Sequence, residues 1–192
     1  MTAPGPGSPT EVKVFTFPLL KPIGNPNQAR TQAAGSEQPL NTASFIPFGK
    51  GYRGGVSLAA GWLAGSQGGA KRIVVSQLAD SGSVKVFSSD SALDGGPSLY
   101  LRSPLHHDHN ARFREIASFE PFDGSAGTRV ATTSTTTGAN LLVSGVAAGG
   151  TDASVLKYDF VRPSLQSTTL QAVRLGQVWS GKGSQPAILG GD

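Results

Sequence analysis

Three imidazoles and a carboxylate lie side by side in His106-His107-Asp108-His109. Imidazole nitrogen and carboxylate oxygen are ligands for Zn²⁺ or Ni²⁺. In an extended chain adjacent residues face opposite ways, so only His107 and His109 would share a face. Two ligands do not close a metal site. With Pro104 on one side and Asn110 on the other, the word reads as a solvent-facing loop, and His107 and His109 are its only metal candidates. No other reactive set converges. Glu115 and Glu120 flank the segment around Phe119, and Asp90 and Asp94 lie in a polar stretch. Paired acids serve glycoside hydrolysis when they are held across a sugar; acids that solvate strand ends are far commoner. Ser134 has no G-x-S-x-G elbow around it. Gly49-x-Gly51-x-x-Gly54 spells a dinucleotide fingerprint without the strand before it or the helix after it. The chain has no cysteine, which excludes disulfides and thiolate metal sites. The residues therefore predict no catalytic centre and no cofactor. Phe48, Tyr52, Trp62 and Trp179 are expected to pack between sheets and not to stack on sugars.

The elements that hold these residues are short. Among 192 residues there are 26 Gly and 13 Pro, a mix that favours many strands joined by tight turns. No window carries apolar residues at i, i+3, i+4 and i+7 for long enough to predict a helix. Sixteen Lys and Arg against twelve Asp and Glu give a net charge of +4 and a pI near 9.6. The basic residues are scattered, Lys71-Arg72 being the only adjacent pair, so a nucleic-acid partner is not expected. MTAPGPGSPTEV has neither the basic nor the apolar region of a signal peptide. The longest apolar run, around Val56 to Ala64, is broken by Ser57 and Gly61 and falls far short of the ~20 residues of a membrane helix.

One stretch recurs. Val12-Lys13-Val14-Phe15 returns as Val84-Lys85-Val86-Phe87, 72 residues on, and loosely as Val155-Leu156-Lys157-Tyr158, a further 71 on. Ala43-Ser44-Phe45, followed by Pro47-Phe48, returns 74 residues on as Ala117-Ser118-Phe119, followed by Pro121-Phe122. Two markers with nearly one period predict a repeat. Within it we read strands at about 55–62, 72–77, 83–87 and 111–119, then at about 128–136, 140–146, 154–160 and 170–179. In the first of these Val56, Leu58, Ala60 and Trp62 alternate with Ser57, Ala59 and Gly61, the period of a strand. The small residues on one side predict close approach to a neighbouring sheet. Gly181-Lys182-Gly183 echoes Gly49-Lys50-Gly51 and suggests a third copy cut short.

In the order FIPF, YRGGVSLAAG, RIVV and SVKVF, and more weakly FEPF, LLVSG and the Val155 strand, the chain resembles the FG-GAP type of β-propeller repeat found in the head of integrin α chains. The resemblance covers roughly Glu11 to Asp192. It implies an all-β, partial propeller-like array of about two four-stranded antiparallel blades with incomplete blades at both ends. Residues 1–10 would be a flexible lead-in, 11–48 the last strands of a preceding blade, 49–122 the first full blade, 123–180 the second, and 181–192 the start of a truncated third. It implies a non-enzymatic binding or scaffold module at the cell surface or outside the cell, with a protein or glycan ligand. A hydrolase or lyase acting on polysaccharide is the alternative.

Such repeats usually carry an aspartate-rich calcium loop after AAG. Here Ala59-Ala60-Gly61 is followed by Trp62-Leu63-Ala64-Gly65-Ser66-Gln67 and then by Lys71-Arg72. A hard Ca²⁺ ion needs 6 to 8 oxygens, carboxylates above all, so these loops are expected to bind no calcium. Propellers close with about 4 to 8 blades, more than a period of about 72 residues allows here. An open arc with unpaired edges, and self-association through those edges, is expected.

Overall fold

The structure, a computed structural model, describes residues 1–3, 5–16, 40–63, 71–89, 113–124, 127–135, 138–146, 150–164 and 167–182. Among them there is no helix, and ten strands form three antiparallel sheets. The first sheet pairs β1 (Val12–Thr16) with β2 (Leu40–Phe45). The second is a four-stranded meander of β3 (Val56–Gly61), β4 (Arg72–Gln77), β5 (Val84–Ser89) and β6 (Phe113–Phe119). The third repeats it with β7 (Thr128–Thr135), β8 (Gly138–Val146), β9 (Asp152–Val161) and β10 (Gln171–Lys182). Strands that follow one another in sequence are neighbours in each sheet, the commonest arrangement, and no sheet closes on itself among the described residues.

The sheets stack as layers with the second in the middle. Val12, Val14 and Phe45 of the first sheet meet Ile73, Val75 and Phe87 of the second. On its other face the second sheet offers Val74, Val84, Val86 and Ile116 to Leu141, Val143, Leu156 and Tyr158 of the third. A central strand covered on both faces loses polar alternation, and β4 is buried from Arg72 to Ser76. Ser76 is tolerated because its Oγ donates to the Thr128 carbonyl at 2.9 Å, while Thr128 Oγ1 donates to the Gly82 carbonyl at 2.8 Å.

The small residues of β3 do face a neighbouring sheet. The Val130 amide donates to Ser57 Oγ at 3.2 Å, and Ala59 packs into the core between the second and third sheets. A Cβ on Gly61 would lie 3.1 Å from both Ala139 Cβ and Thr132 Cγ2. Only glycine lets the first strands of the two sheets approach this closely.

The repeat is visible in the pairing register. Val12 sits opposite Phe45 and Val14 opposite Ala43, with a bulge before Phe15, which faces Asn41. Val84 sits opposite Phe119 and Val86 opposite Ala117, with a bulge before Phe87, which faces Glu115. Val155 sits opposite Trp179 and Lys157 opposite Gly176, with a bulge before Tyr158, which faces Arg174. The partners across the next strand agree, since Ser76 opposes Val84 and Ser144 opposes Val155. The stacking repeats with the register. Phe45 lies 4.6 Å from Phe87 and Phe119 lies 4.9 Å from Tyr158, both at an interplanar angle of 47°. A bulge adds twist and re-aims the side chains beyond it, so a bulge kept in place keeps the aromatic contact in place.

Residues of the first segment make backbone hydrogen bonds to the rest of the chain. Thr2 and Lys13 exchange backbone hydrogen bonds of 3.0 and 2.9 Å, and the Gly7 amide donates to the Arg53 carbonyl at 2.8 Å. Thr10 is fully buried. Pro, Gly and Ser content alone is a weak sign of mobility where the backbone finds partners.

Candidate functional site

His107 and His109 lie outside the described residues, as do Asp90, Asp94 and the rest of that connection. Among the described residues no group of three or more His, Asp or Glu could hold a metal ion. Glu115 and Glu120 do not converge: Glu115 Oε2 is ion-paired with Lys85 Nζ at 2.9 Å, and Glu120 is exposed beyond the end of β6. Gly49, Gly51 and Gly54 lie between β2 and β3 with no helix following, so no dinucleotide cradle is formed.

The β3–β4 end, where the resemblance puts a calcium loop, is built from Trp62, Leu63, Lys71 and Arg72. Leu63 is fully buried in the core between the second and third sheets. The Trp62 carbonyl accepts a 2.9 Å hydrogen bond from the Ala139 amide, which engages it within the fold. Lys71 Nζ sits 4.8 Å over the Trp62 ring, a cation–π contact of about 0.5–1 kcal/mol at a surface. Arg72 is buried, and its Nη1 donates to Ser88 Oγ. Its Nε has no hydrogen-bond partner. Burial, and then the neighbouring Arg162, pull the guanidinium below its ordinary pKa. The described part of this loop end is thus cationic and apolar, the wrong chemistry for a divalent cation. Residues 64–70 lie outside the described set.

The aromatic expectation divides. Tyr52 and Phe48 pack as expected, with ring centroids 5.5 Å apart, and the Tyr52 hydroxyl donates to the Gly55 carbonyl at 2.9 Å. Trp62 and Trp179 are not interior groups: they are 47% and 43% exposed. The Trp179 ring lies along its strand over Gly181, where a Cβ would meet it at 2.5 Å. Glycine at 181 is what allows the ring to lie there, since residues two apart in a strand share a face.

A shallow cavity of about 370 Å³ is lined by Thr2, Ala3, Ser8, Pro9, Glu11 and Lys13. Its two charged groups face each other at 3.8 Å, and no third reactive side chain lines it. No family model, no curated protein and no solved structure matches the chain. No described helix is long and apolar enough to cross a membrane.

Proposed function

We propose that the chain is a non-enzymatic binding or scaffold module of β-propeller type, its four-stranded sheets acting as successive blades and its calcium loops degenerate. The observation that supports this most is the bulge that recurs at one register position in all three sheets, together with the aromatic contact that recurs beside it. The scaffold reading over the enzymatic one is favoured by the chemistry of the described surface: Glu115 is engaged by Lys85, Arg72 is buried, and the shallow cavity offers one acid already paired to a lysine. The ligand class in this reading is a protein or a glycan at the cell surface or outside the cell. A glycan and protein array run beside turnover assays on acidic and neutral polysaccharides is the test. Retention without turnover is the expected outcome. Turnover by the purified chain would replace the scaffold reading with the hydrolase or lyase.

A further inference from the structure

Among the described residues Arg72 is the one charged side chain that the fold buries, at 3% exposed. Strand pairing fixes its place. Arg72 opposes Gly61 of β3, the pairing of Ile73 with Phe87 brings Ser88 of β5 beside it, and Ser88 opposes Arg114 of β6. Gly61, Arg72, Ser88 and Arg114 thus form one row across the second sheet. Side chains two apart in a strand share a face. Val74 and Val86 pack in the core against the third sheet, so the row turns the same way, one step beyond that apolar layer. From the third sheet Arg162 follows the end of β9, near enough for its charge to act on Arg72. Arg114 and Arg162 are exposed. Three guanidiniums and a hydroxyl therefore gather at one end of the seam between the second and third sheets. No counter-charge meets them among the described residues, whose ion pairs are Lys13 with Glu11 and Lys85 with Glu115. Glu115 shares the other face of the sheet with Phe87. Arg72 Nη1 donates to Ser88 Oγ, and its Nε has no partner. A water molecule would satisfy that nitrogen and leave the charge unanswered, and a buried charge without a counterion is costly.

We propose that Arg72, Ser88, Arg114 and Arg162 form a binding site for an oxyanion group, a sulfate, a phosphate or a carboxylate. A guanidinium presents a planar fork of N–H donors that matches two oxygens of such a group. Ser88 holds Nη1 of Arg72, which leaves the Nε–Nη2 edge for the ligand. Arg114 and Arg162 reach the remaining oxygens from β6 and from the end of β9. Partial burial keeps water from screening the contact, so one buried guanidinium counts for more than several on an open surface. Three like charges favour a dianion over a monoanion and exclude a metal cation. The sheet end where the resemblance puts calcium would then hold the opposite charge. The oxyanion comes as a free ion or as a group carried on a larger ligand, and the chemistry that holds it is the same. The inference stands on strand pairing and charge, so it holds whether or not the sheets are propeller blades.

The test titrates the whole chain with sodium sulfate, sodium phosphate and sodium acetate against sodium chloride at matched ionic strength, read by calorimetry and by melting temperature. A site gives a rise in melting temperature that follows its own saturation curve, whereas the general stabilising effect of sulfate shows no saturation at a site. Saturable binding of sulfate and phosphate is expected. Arg114→Gln and Arg162→Gln, both at exposed positions, should each weaken it about tenfold. Arg72→Met keeps the aliphatic stem and should abolish it. In chloride alone Arg72→Met should melt no lower than the wild type, because it removes a buried charge that lacks a partner. A sharp fall there would mean that a carboxylate of the chain already holds Arg72, and would overturn the site. So would a wild type without saturable binding, or saturable binding that survives all three substitutions. A sulfated monosaccharide set against its unsulfated parent separates the sources. Tighter binding than inorganic sulfate assigns the oxyanion to a larger ligand, and equal or weaker binding assigns it to the free ion; the site stands in either case.

Discussion

Tyr52 shows how a single side chain fixes a connection. Its hydroxyl donates to the Gly55 carbonyl and accepts from the Ala79 amide at 3.2 Å, so one ring clasps the turns before β3 and after β4. Burial raises its pKa above the ordinary 10.0, hydrogen bonds from the Ala79 backbone opposing this only in part. A phenol whose folded pKa is raised favours folding in its neutral form. That contribution is whole below pH 10 and is lost as pH climbs through the folded value. Tyr158 behaves alike, burial raising it and Arg174 opposing. Chemical melts at about pH 8 and about pH 11 should therefore show a loss at the higher pH. Tyr52→Phe should cost about 0.5–1.5 kcal/mol at the lower pH and show a smaller alkaline loss than the wild type. An alkaline loss of unchanged size in Tyr52→Phe would assign the effect to other groups.

At the scale of the strand, spacing decides how sheets meet. Gly61 is where β3 and the third sheet come closest. Gly61→Val would drive two methyl groups into Ala139 and Thr132 and should cost about 1–3 kcal/mol or more. Gly61→Ala should cost less, and Gly51→Ala, which meets nothing within 4 Å, should be near neutral. Thermal melts of the three would rank them, and equal melting of Gly61→Val and Gly51→Ala would show that the close approach is not needed. This contact was legible in advance because small residues alternated with large ones through 56–61, a pattern that only an extended chain turns into two faces. The strands of the second and third sheets were legible for the same reason, as apolar runs bounded by Gly and Ser. The bulges were not. A bulge is one extra residue in one strand of a pair, and nothing in Ile116 or Leu175 taken alone marks it. The short connection from Val161 to Gln171 puts Trp179 only 60 residues after Phe119, where Phe119 follows Phe45 by 74, and hides that Trp179 answers Phe119. The partner of Arg72 was equally hidden, since a sequence shows a cation pair at Lys71-Arg72 and cannot show that one lies on the surface and the other inside.

The whole molecule is a stack in which cover differs from layer to layer. The second sheet shares a core with each of the other two, the third shares one with the second alone, and the first is a pair of strands with Thr2 alongside. In repeat-like stacks each layer's stability comes from itself and its neighbours, so local opening should not be uniform. β4 is buried from Arg72 to Ser76 and hydrogen-bonded on both sides by β3 and β5. β10 is an edge strand with Leu175, Val178 and Trp179 exposed. Amide exchange in dilute solution should be slowest in β4 and its neighbour β5, intermediate in β8, and fastest in β10 and β1. Uniform exchange across all three sheets would mean that the stack opens as a single cooperative unit, and the graded picture would fall.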